Sequence, residues 1–179
     1  MKLTFVLIRK HPLEDTAATG EERRLYSYQK EGSSQSEFDS FISDATTSKH
    51  SGFQRLITRL GELVDKHGFQ RVMLYPDSDA ENRTFKLRET GEKIGKQREP
   101  GLRLYGIWLS DNLFIVGNGG LKPHGQKYRK TEANPELKRI RDDLEAIKKV
   151  LLSDKRFDLN RQKTDFAAPI SGITIEITD

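Results

Sequence analysis

The sequence predicts an α+β fold in which a helical pair is followed by a mainly antiparallel sheet. Residues 53–64 place apolar side chains at the i, i+3, i+4 and i+7 positions of an amphipathic helix. Residues 102–109 and 113–116 are strand-like apolar runs separated by a short polar turn, as in a β-hairpin. The chain of 179 residues is expected to form a single domain over residues 1–152, followed by a C-terminal tail over residues 153–179.

A hairpin-like extension is expected at the N-terminus. Residues 2–9 and 24–29 are rich in β-branched and aromatic side chains, which favour strands. Residues 11–22 contain proline, glycine and small polar side chains, which favour a loop. We therefore expect the two strands to pair with each other.

The helical pair is expected to begin at Ser36, which can cap a helix whose first turn carries the acidic side chains that the helix dipole favours. Residues 46–48 are expected to interrupt the helical pattern. The second helix is expected to end at Gly68, because glycine after basic residues is a common helix stop.

Further strands are predicted at residues 70–75 and 84–89, ahead of the hairpin. The hairpin strands are apolar on both faces, which indicates central strands covered on both sides. The charged segment 91–100 is expected to be exposed, and the glycine run 117–120 is expected to break the second hairpin strand.

A long C-terminal helix is predicted from Asn134 and Pro135, an N-cap followed by a proline in the first turn. Apolar side chains between residues 137 and 151 recur at intervals of three and four, so one face of this helix should be buried. In the tail, residues 173–177 alternate as in a strand. This strand would either extend the sheet edge or cover the chain's own functional site, and the sequence leaves both open.

Positive charge is concentrated in one third of the chain. Residues 83–141 contain fourteen Lys or Arg and six Asp or Glu, a net charge of +8, whereas the remainder contains seventeen and twenty-one, a net charge of −4. Concentrated positive charge attracts polyanions by releasing their counterions. RNA is therefore the expected partner, and a solvated surface that happens to be rich in Lys and Arg is the alternative.

The composition also excludes some chemistry. The chain has no cysteine, which excludes disulfides, thiolate metal sites and cysteine nucleophiles. Its four histidines lack metal-ligand spacing, so neither a metal nor a cofactor is expected. The apolar run at residues 3–8 is too short for a signal peptide, and no stretch approaches the roughly 18–20 apolar residues that span a bilayer. The expectation is a cytoplasmic protein without a membrane partner.

Residues 85–128 carry motif-like matches to a known family. They contain a strand with Lys86-Leu87-Arg88, a charged loop, the strand 101–105, an Asp-containing turn, an apolar strand and the basic segment 122–130. This order resembles the C-terminal half of RelE/HigB-type toxins, the small ribonucleases of bacterial toxin–antitoxin pairs. Together with the helical pair, the resemblance covers roughly residues 24–151 and implies a RelE-like α+β fold.

The resemblance implies a metal-independent endoribonuclease, an mRNA interferase that acts in or near the ribosome and is neutralised by a cognate antitoxin. Cleavage by the 2′-OH needs a base, cations that stabilise the phosphorane charge, and an acid for the leaving 5′-oxygen. The resemblance places the catalytic roles on Lys86, Arg103, Lys122 and Tyr128. Contacts to RNA are expected from Arg88, Lys96, Arg98, His124, Lys127, Arg129 and Lys130.

Arg103 is the best candidate for a phosphate contact, because a guanidinium is planar and can donate two parallel hydrogen bonds. Lys86 and Arg88 alternate with apolar residues, and we expect them to share a face with Arg103. Lys122 follows the glycine run 117–120, which would either hold a phosphate or form a plain bulge.

Two residues of the basic segment have properties suited to RNA chemistry. Tyr128 would stack on a base or donate a proton, and a tyrosine that packs on its own hairpin is the alternative. His124 titrates in the range useful for acid–base work near neutral pH, and a bystander role is the alternative.

Two other functions stay open beside the ribonuclease. The same fold includes toxins that inhibit DNA gyrase by binding, without nuclease chemistry. The other is a non-toxic module that binds RNA or protein and shows only salt-dependent RNA affinity.

Overall fold

A mixed β-sheet with helices on both faces organises the chain. The computed structural model describes residues 1–13, 22–70, 73–76, 84–89, 93–94, 97–98, 100–123, 134–154 and 170–177. Within these ranges seven strands form one sheet and two more form a small separate ladder. The fold is therefore α+β, as predicted.

The strands are β1 (Lys2–Pro12), β2 (Glu22–Lys30), β3 (Tyr75–Pro76), β4 (Thr84–Glu89), β5 (Lys93–Ile94), β6 (Gln97–Arg98), β7 (Gly101–Ser110), β8 (Leu113–Lys122) and β9 (Thr174–Glu176). The helices are α1 (Glu37–Ser43), α2 (Ala45–Ser48), α3 (Phe53–Glu62) and α4 (Pro135–Ser153), and a π-helical turn (Leu63–His67) continues α3. The strand order of the main sheet is β3-β4-β7-β8-β2-β1-β9. β2 pairs with β8 in parallel, whereas the other neighbours in this sheet are antiparallel.

The N-terminal hairpin is confirmed, because β1 and β2 pair along most of their length. β1 is longer than predicted and continues to Pro12 after an irregularity between Leu7 and Arg9. The start of the predicted loop is therefore strand, and residues 14–21 of that loop lie outside the described residues.

The predicted helix cap at Ser36 is confirmed by a capping box in which the Ser36 side chain accepts from the Asp39 amide. The interruption predicted at residues 46–48 was wrong. One break falls at Asp44, whose carboxylate accepts from the amides of Thr46 and Thr47 and so starts α2 there, and a second falls at residues 49–52, between α2 and α3. Gly68 ends the π-helical turn with a φ of 72°, as the glycine signal predicted.

Both faces of the sheet are covered, as the two-sided apolar strands predicted. On one face α4 buries its apolar side chains against residues such as Tyr28, Tyr105 and Ile115. On the other face α1, α3 and the π-helical turn pack against residues such as Leu104 and Phe114. A binding site on the central strands must therefore lie where a strand extends beyond the helices that cover it.

The glycine run 117–120 does not break β8, so that prediction was wrong. The strand continues through it with a register shift opposite Tyr105. A Cβ on Gly119 would lie 2.0 Å from the carbonyl oxygen of Arg103, and one on Gly117 would lie 3.1 Å from Leu144 of α4. These glycines permit close packing of strand and helix, and their buried backbone forms a bulge rather than a phosphate cradle.

Three other predictions have different outcomes. Of the strand predicted at 70–75, only Tyr75 is in a strand, and residues 71–72 lie outside the described residues. The side chains between residues 91 and 99 also lie outside them, so their predicted exposure stays a prediction. The tail does form an edge strand, since β9 pairs antiparallel with Lys2, Leu3 and Thr4 of β1.

Candidate nucleic-acid interface

Four of the predicted site residues form a basic cluster on one face of the sheet. We use this name for Lys86 and Arg88 of β4, Arg103 of β7 and Lys122 of β8. Arg88 lies directly opposite Arg103, and Lys122 lies opposite Gly101, two residues before Arg103. Opposite residues and residues two apart share a face of a sheet, so all four side chains leave the same face. This was predicted for Lys86, Arg88 and Arg103 but not for Lys122.

The cluster occupies the face that α4 also covers. The Thr84 hydroxyl of β4 donates to the Glu145 carboxylate of α4 at 2.5 Å. Gly120 is opposite Arg103, and a Cβ there would lie 3.3 Å from Leu137 near the start of α4. The basic cluster therefore lies beside the N-terminal part of α4.

Arg103 is the most informative member of the cluster. Its guanidinium is partly buried and donates to the carbonyl oxygen of Leu102 at 2.8 Å. Burial lowers the pKa of Arg103 and the charge of Arg88 lowers it further, whereas Tyr105 acts in the opposite direction. Within the described part of the chain, Arg103 has no carboxylate partner. A partly desolvated cation of this kind favours an anionic ligand.

Gly101 makes room for the Arg103 guanidinium, a role that the sequence pattern did not reveal. A Cβ on Gly101 would lie 2.8 Å from one terminal nitrogen of Arg103 and 3.1 Å from the other. The guanidinium therefore lies over the Cα of Gly101, and any side chain there would displace it. A glycine two residues before an arginine in a predicted strand could have indicated this arrangement, because it leaves room for the arginine side chain.

His50 holds the chain just before Gly101. It is buried, its Nδ1 accepts from the Gly52 amide at 2.9 Å, and its Nε2 lies 2.6 Å from the Pro100 carbonyl oxygen. Since Nδ1 accepts a hydrogen bond and the Pro100 carbonyl can only accept one, Nε2 carries the hydrogen and donates it to Pro100. His50 therefore ties the α2–α3 turn to the start of β7, and this long-range contact has no local sequence signal.

The remaining predicted residues lie where no side chain is described. These residues are Lys96, Arg98, His124, Lys127, Tyr128, Arg129 and Lys130, of which Arg98 has its backbone in β6. Both anchors of the segment 124–133 are nevertheless next to the cluster. β8 ends at Lys122, and the Asn134 side chain donates to the carbonyl oxygen of Leu121 at 3.3 Å.

Among the residues that the structure describes, no group of three or more His, Cys, Asp or Glu could hold a metal ion. No helix in that part of the chain is long and apolar enough to cross a membrane. In comparisons with family models, curated proteins and solved structures, nothing matches this chain. The interpretation of the site therefore rests on its own geometry.

Proposed function

We propose that this protein is a toxin-type ribonuclease of the RelE/HigB kind, whose basic cluster binds the phosphodiester backbone of RNA. The observation that carries the proposal is Arg103, a partly buried cation without a carboxylate partner in the described residues, directly opposite Arg88. The order of elements also supports it, because strand β2 and a set of helices precede the antiparallel strands β4, β7 and β8.

Like charges directly opposite each other destabilise an antiparallel pair. An anion that contacted both side chains would relieve the repulsion between Arg88 and Arg103. A phosphodiester is a permanent anion, and two guanidinium groups can together donate to both of its non-bridging oxygens.

The proposed reaction breaks one phosphodiester bond of RNA. The 2′-oxygen attacks the adjacent phosphorus and loses its proton to a base, and the bond from phosphorus to the 5′-oxygen breaks as that oxygen takes up a proton. The products are a 2′,3′-cyclic phosphate and a 5′-hydroxyl. Arg103 and Arg88 neutralise the charge that develops on the non-bridging oxygens, with Lys86 and Lys122 beside them.

Two partners belong to this proposal. The RNA is mRNA, bound in or near the ribosome, and Tyr128 of the segment 124–133 is the proposed proton donor to the leaving oxygen. The second partner is an antitoxin protein whose acidic side chains neutralise the basic cluster.

The test is the growth of bacteria that express the protein or its variants. Arg103→Ala and Lys122→Ala are expected to abolish growth arrest while the purified proteins remain folded, as cooperative thermal unfolding would show. Arg139→Ala is the matched control, because Arg139 lies on α4 with its side chain 59% exposed. Unchanged arrest in both cluster variants would overturn the site, and DNA damage that precedes the loss of translation would indicate gyrase inhibition instead.

A further inference from the structure

The main sheet ends on one side in a strand whose outer edge is open. β9 is the last strand in the order, and its inner edge pairs with β1. The backbone nitrogens of Met1 and Ile177 each donate to the other residue's carbonyl oxygen, so Ile175 and Ile177 direct their backbone polar groups toward β1. Because this direction alternates along a strand, the backbone groups of Thr174 and Glu176 point away from the sheet.

These outward groups have no hydrogen-bonding partner in the part of the chain that the structure describes. An open edge of this kind is a template for pairing with another strand. The opposite edge of the sheet is different, because β3 has only two residues and one of them is Pro76, which has no amide hydrogen. β9 contains neither proline nor lysine, two residues that commonly prevent pairing at an edge.

The edge of β9 is complementary to the same edge of a second copy, here called the partner. A twofold axis through Ile175, perpendicular to the sheet, places Thr174 opposite the partner's Glu176 and Glu176 opposite the partner's Thr174. Both residues of each pair direct their backbone groups outward. Each pair can therefore exchange both of its N–H···O=C hydrogen bonds, as in an ordinary antiparallel ladder.

The neighbouring registers that also bring outward groups together are less favourable. An axis at Glu176 would place that carboxylate opposite the partner's Glu176, and like charges directly opposite each other destabilise an antiparallel pair. An axis at Thr174 would place Glu176 opposite the partner's Gly172, which has a φ of 77° and lies in a turn before β9. The sequence of the edge therefore favours the register that is centred on Ile175.

Side chains on both faces of β9 suit this register. The Thr174 hydroxyl is exposed beside an open cavity of about 420 Å³, where it lies 2.9 Å from the Thr4 hydroxyl. When Thr4 donates in that hydrogen bond, the hydroxyl hydrogen of Thr174 is left for the carboxylate of the partner's Glu176. On the other face, Ile175 would lie next to the partner's Ile175 and continue the apolar core that α4 covers.

We infer that two copies of this chain pair through β9 in an antiparallel, twofold-symmetric dimer, in which the two seven-stranded sheets form one continuous sheet. The contact is short, so we expect a dimer that dissociates on dilution rather than an obligate one. β9 is five strand steps from β4, so the contact leaves the basic cluster uncovered. The inference is therefore independent of the proposed function.

The test uses engineered cysteines, because the chain has none of its own. Thr174→Cys and Glu176→Cys are purified separately, mixed in equal amounts and oxidised. In the favoured register the two new thiols are on directly opposite residues, whose Cα atoms lie about 5.5 Å apart, a separation that a disulfide spans. Within either variant alone, the two identical positions are diagonal neighbours about 7–8 Å apart, which exceeds that span.

The mixture is therefore expected to form several-fold more cross-linked dimer than either variant alone. Arg139→Cys measures cross-linking by random collision, because the Arg139 side chain is 59% exposed on α4, away from β9. Equal cross-linking by the mixture and by the separate variants would overturn the inference.

Sedimentation velocity over a concentration series tests the dimer without cysteines. Glu176→Pro removes an outward amide hydrogen but no hydrogen bond to β1, so this variant should fold and remain monomeric where the unaltered protein dimerises. Glu176→Gln keeps the amide hydrogen and should still dimerise. Equal dimerisation by Glu176→Pro would overturn the inference, and so would an unaltered protein that is monomeric at every concentration, which would leave the edge for a strand of another protein. If Glu176→Pro fails to fold, the cross-linking comparison decides.

Discussion

Replacing Arg103 by methionine should stabilise the protein and weaken its binding to RNA. Burial lowers the pKa of Arg103, Tyr105 offsets part of this effect, and the like charge of Arg88 lowers the pKa further. A base whose pKa is lower in the folded state destabilises that state at every pH below the folded pKa. At neutral pH the guanidinium is charged in both states, so the full penalty applies and methionine removes it.

The expected changes in the free energy of unfolding and in RNA affinity follow from the parts of the Arg103 side chain that methionine keeps and removes. The apolar stem still packs, while the partly desolvated charge is lost. Single stabilising substitutions commonly contribute about 0.5–2 kcal/mol, and we expect Arg103→Met to fall in this range. Each kcal/mol raises the midpoint by about 2–4 °C in a domain of this size. The lost charged hydrogen bonds to phosphate weaken RNA binding by about 1.5–3 kcal/mol, which corresponds to roughly 10- to 150-fold.

Thermal unfolding and RNA binding should be measured on the same preparations, with Arg88→Met as the comparison. Arg88 is exposed, so its replacement should change the free energy of unfolding by less than about 0.5 kcal/mol while still weakening RNA binding. A lower midpoint for Arg103→Met would show that Arg103 has a stabilising partner within the chain. Unchanged RNA affinity would show that the basic cluster does not bind phosphate.

Two further predictions concern glycines near the cluster. Gly101→Ala should weaken RNA binding but leave the free energy of unfolding nearly unchanged, because its Cβ would meet only the flexible end of the Arg103 side chain, 2.8 Å away. Calorimetry measures the stability and fluorescence anisotropy measures the RNA affinity. An RNA affinity equal to that of the wild-type protein would contradict this prediction. Gly119→Ala should destabilise by about 3 kcal/mol or more through its clash with the Arg103 carbonyl oxygen at 2.0 Å, as urea unfolding can measure. Gly120→Ala, whose Cβ would lie 3.3 Å from Leu137, is the milder control, and equal losses would contradict the packing argument.

The elements with local signals could be predicted from the sequence. Three features that depend on neighbouring residues were predicted correctly. They are the helix cap at Ser36, the helix end at Gly68 and the hairpin of β7 and β8. Alternation along β4 also predicted that Lys86 and Arg88 leave the same face, because the period of a strand is fixed by its backbone. The members of the basic cluster themselves were chosen from the family resemblance and the local concentration of positive charge.

The features that were missed depend on contacts between distant residues. The glycine run of β8 looked like a strand break, but it lies under Leu144 and Phe41, where larger residues would not fit. The apolar face of α4 was predicted, yet nothing local shows that Arg141 and Glu145 lie on the flank toward β4. That placement is visible only in the contact that Glu145 makes with Thr84, 61 residues away in the chain.

The strand order separates the edge closed by the tail from the surface that carries the cluster. β9 pairs with β1, where the Thr4 and Thr174 hydroxyls lie 2.9 Å apart and the N-terminal amine donates to the Ile177 carbonyl oxygen. Three strand steps separate β9 from β8 and five separate it from β4, about 14 and 24 Å at the usual spacing. Of the two roles left open for the tail strand, the structure therefore has β9 extending the sheet edge. A factor that blocks the basic cluster must come from elsewhere than β9, as an acidic protein partner would.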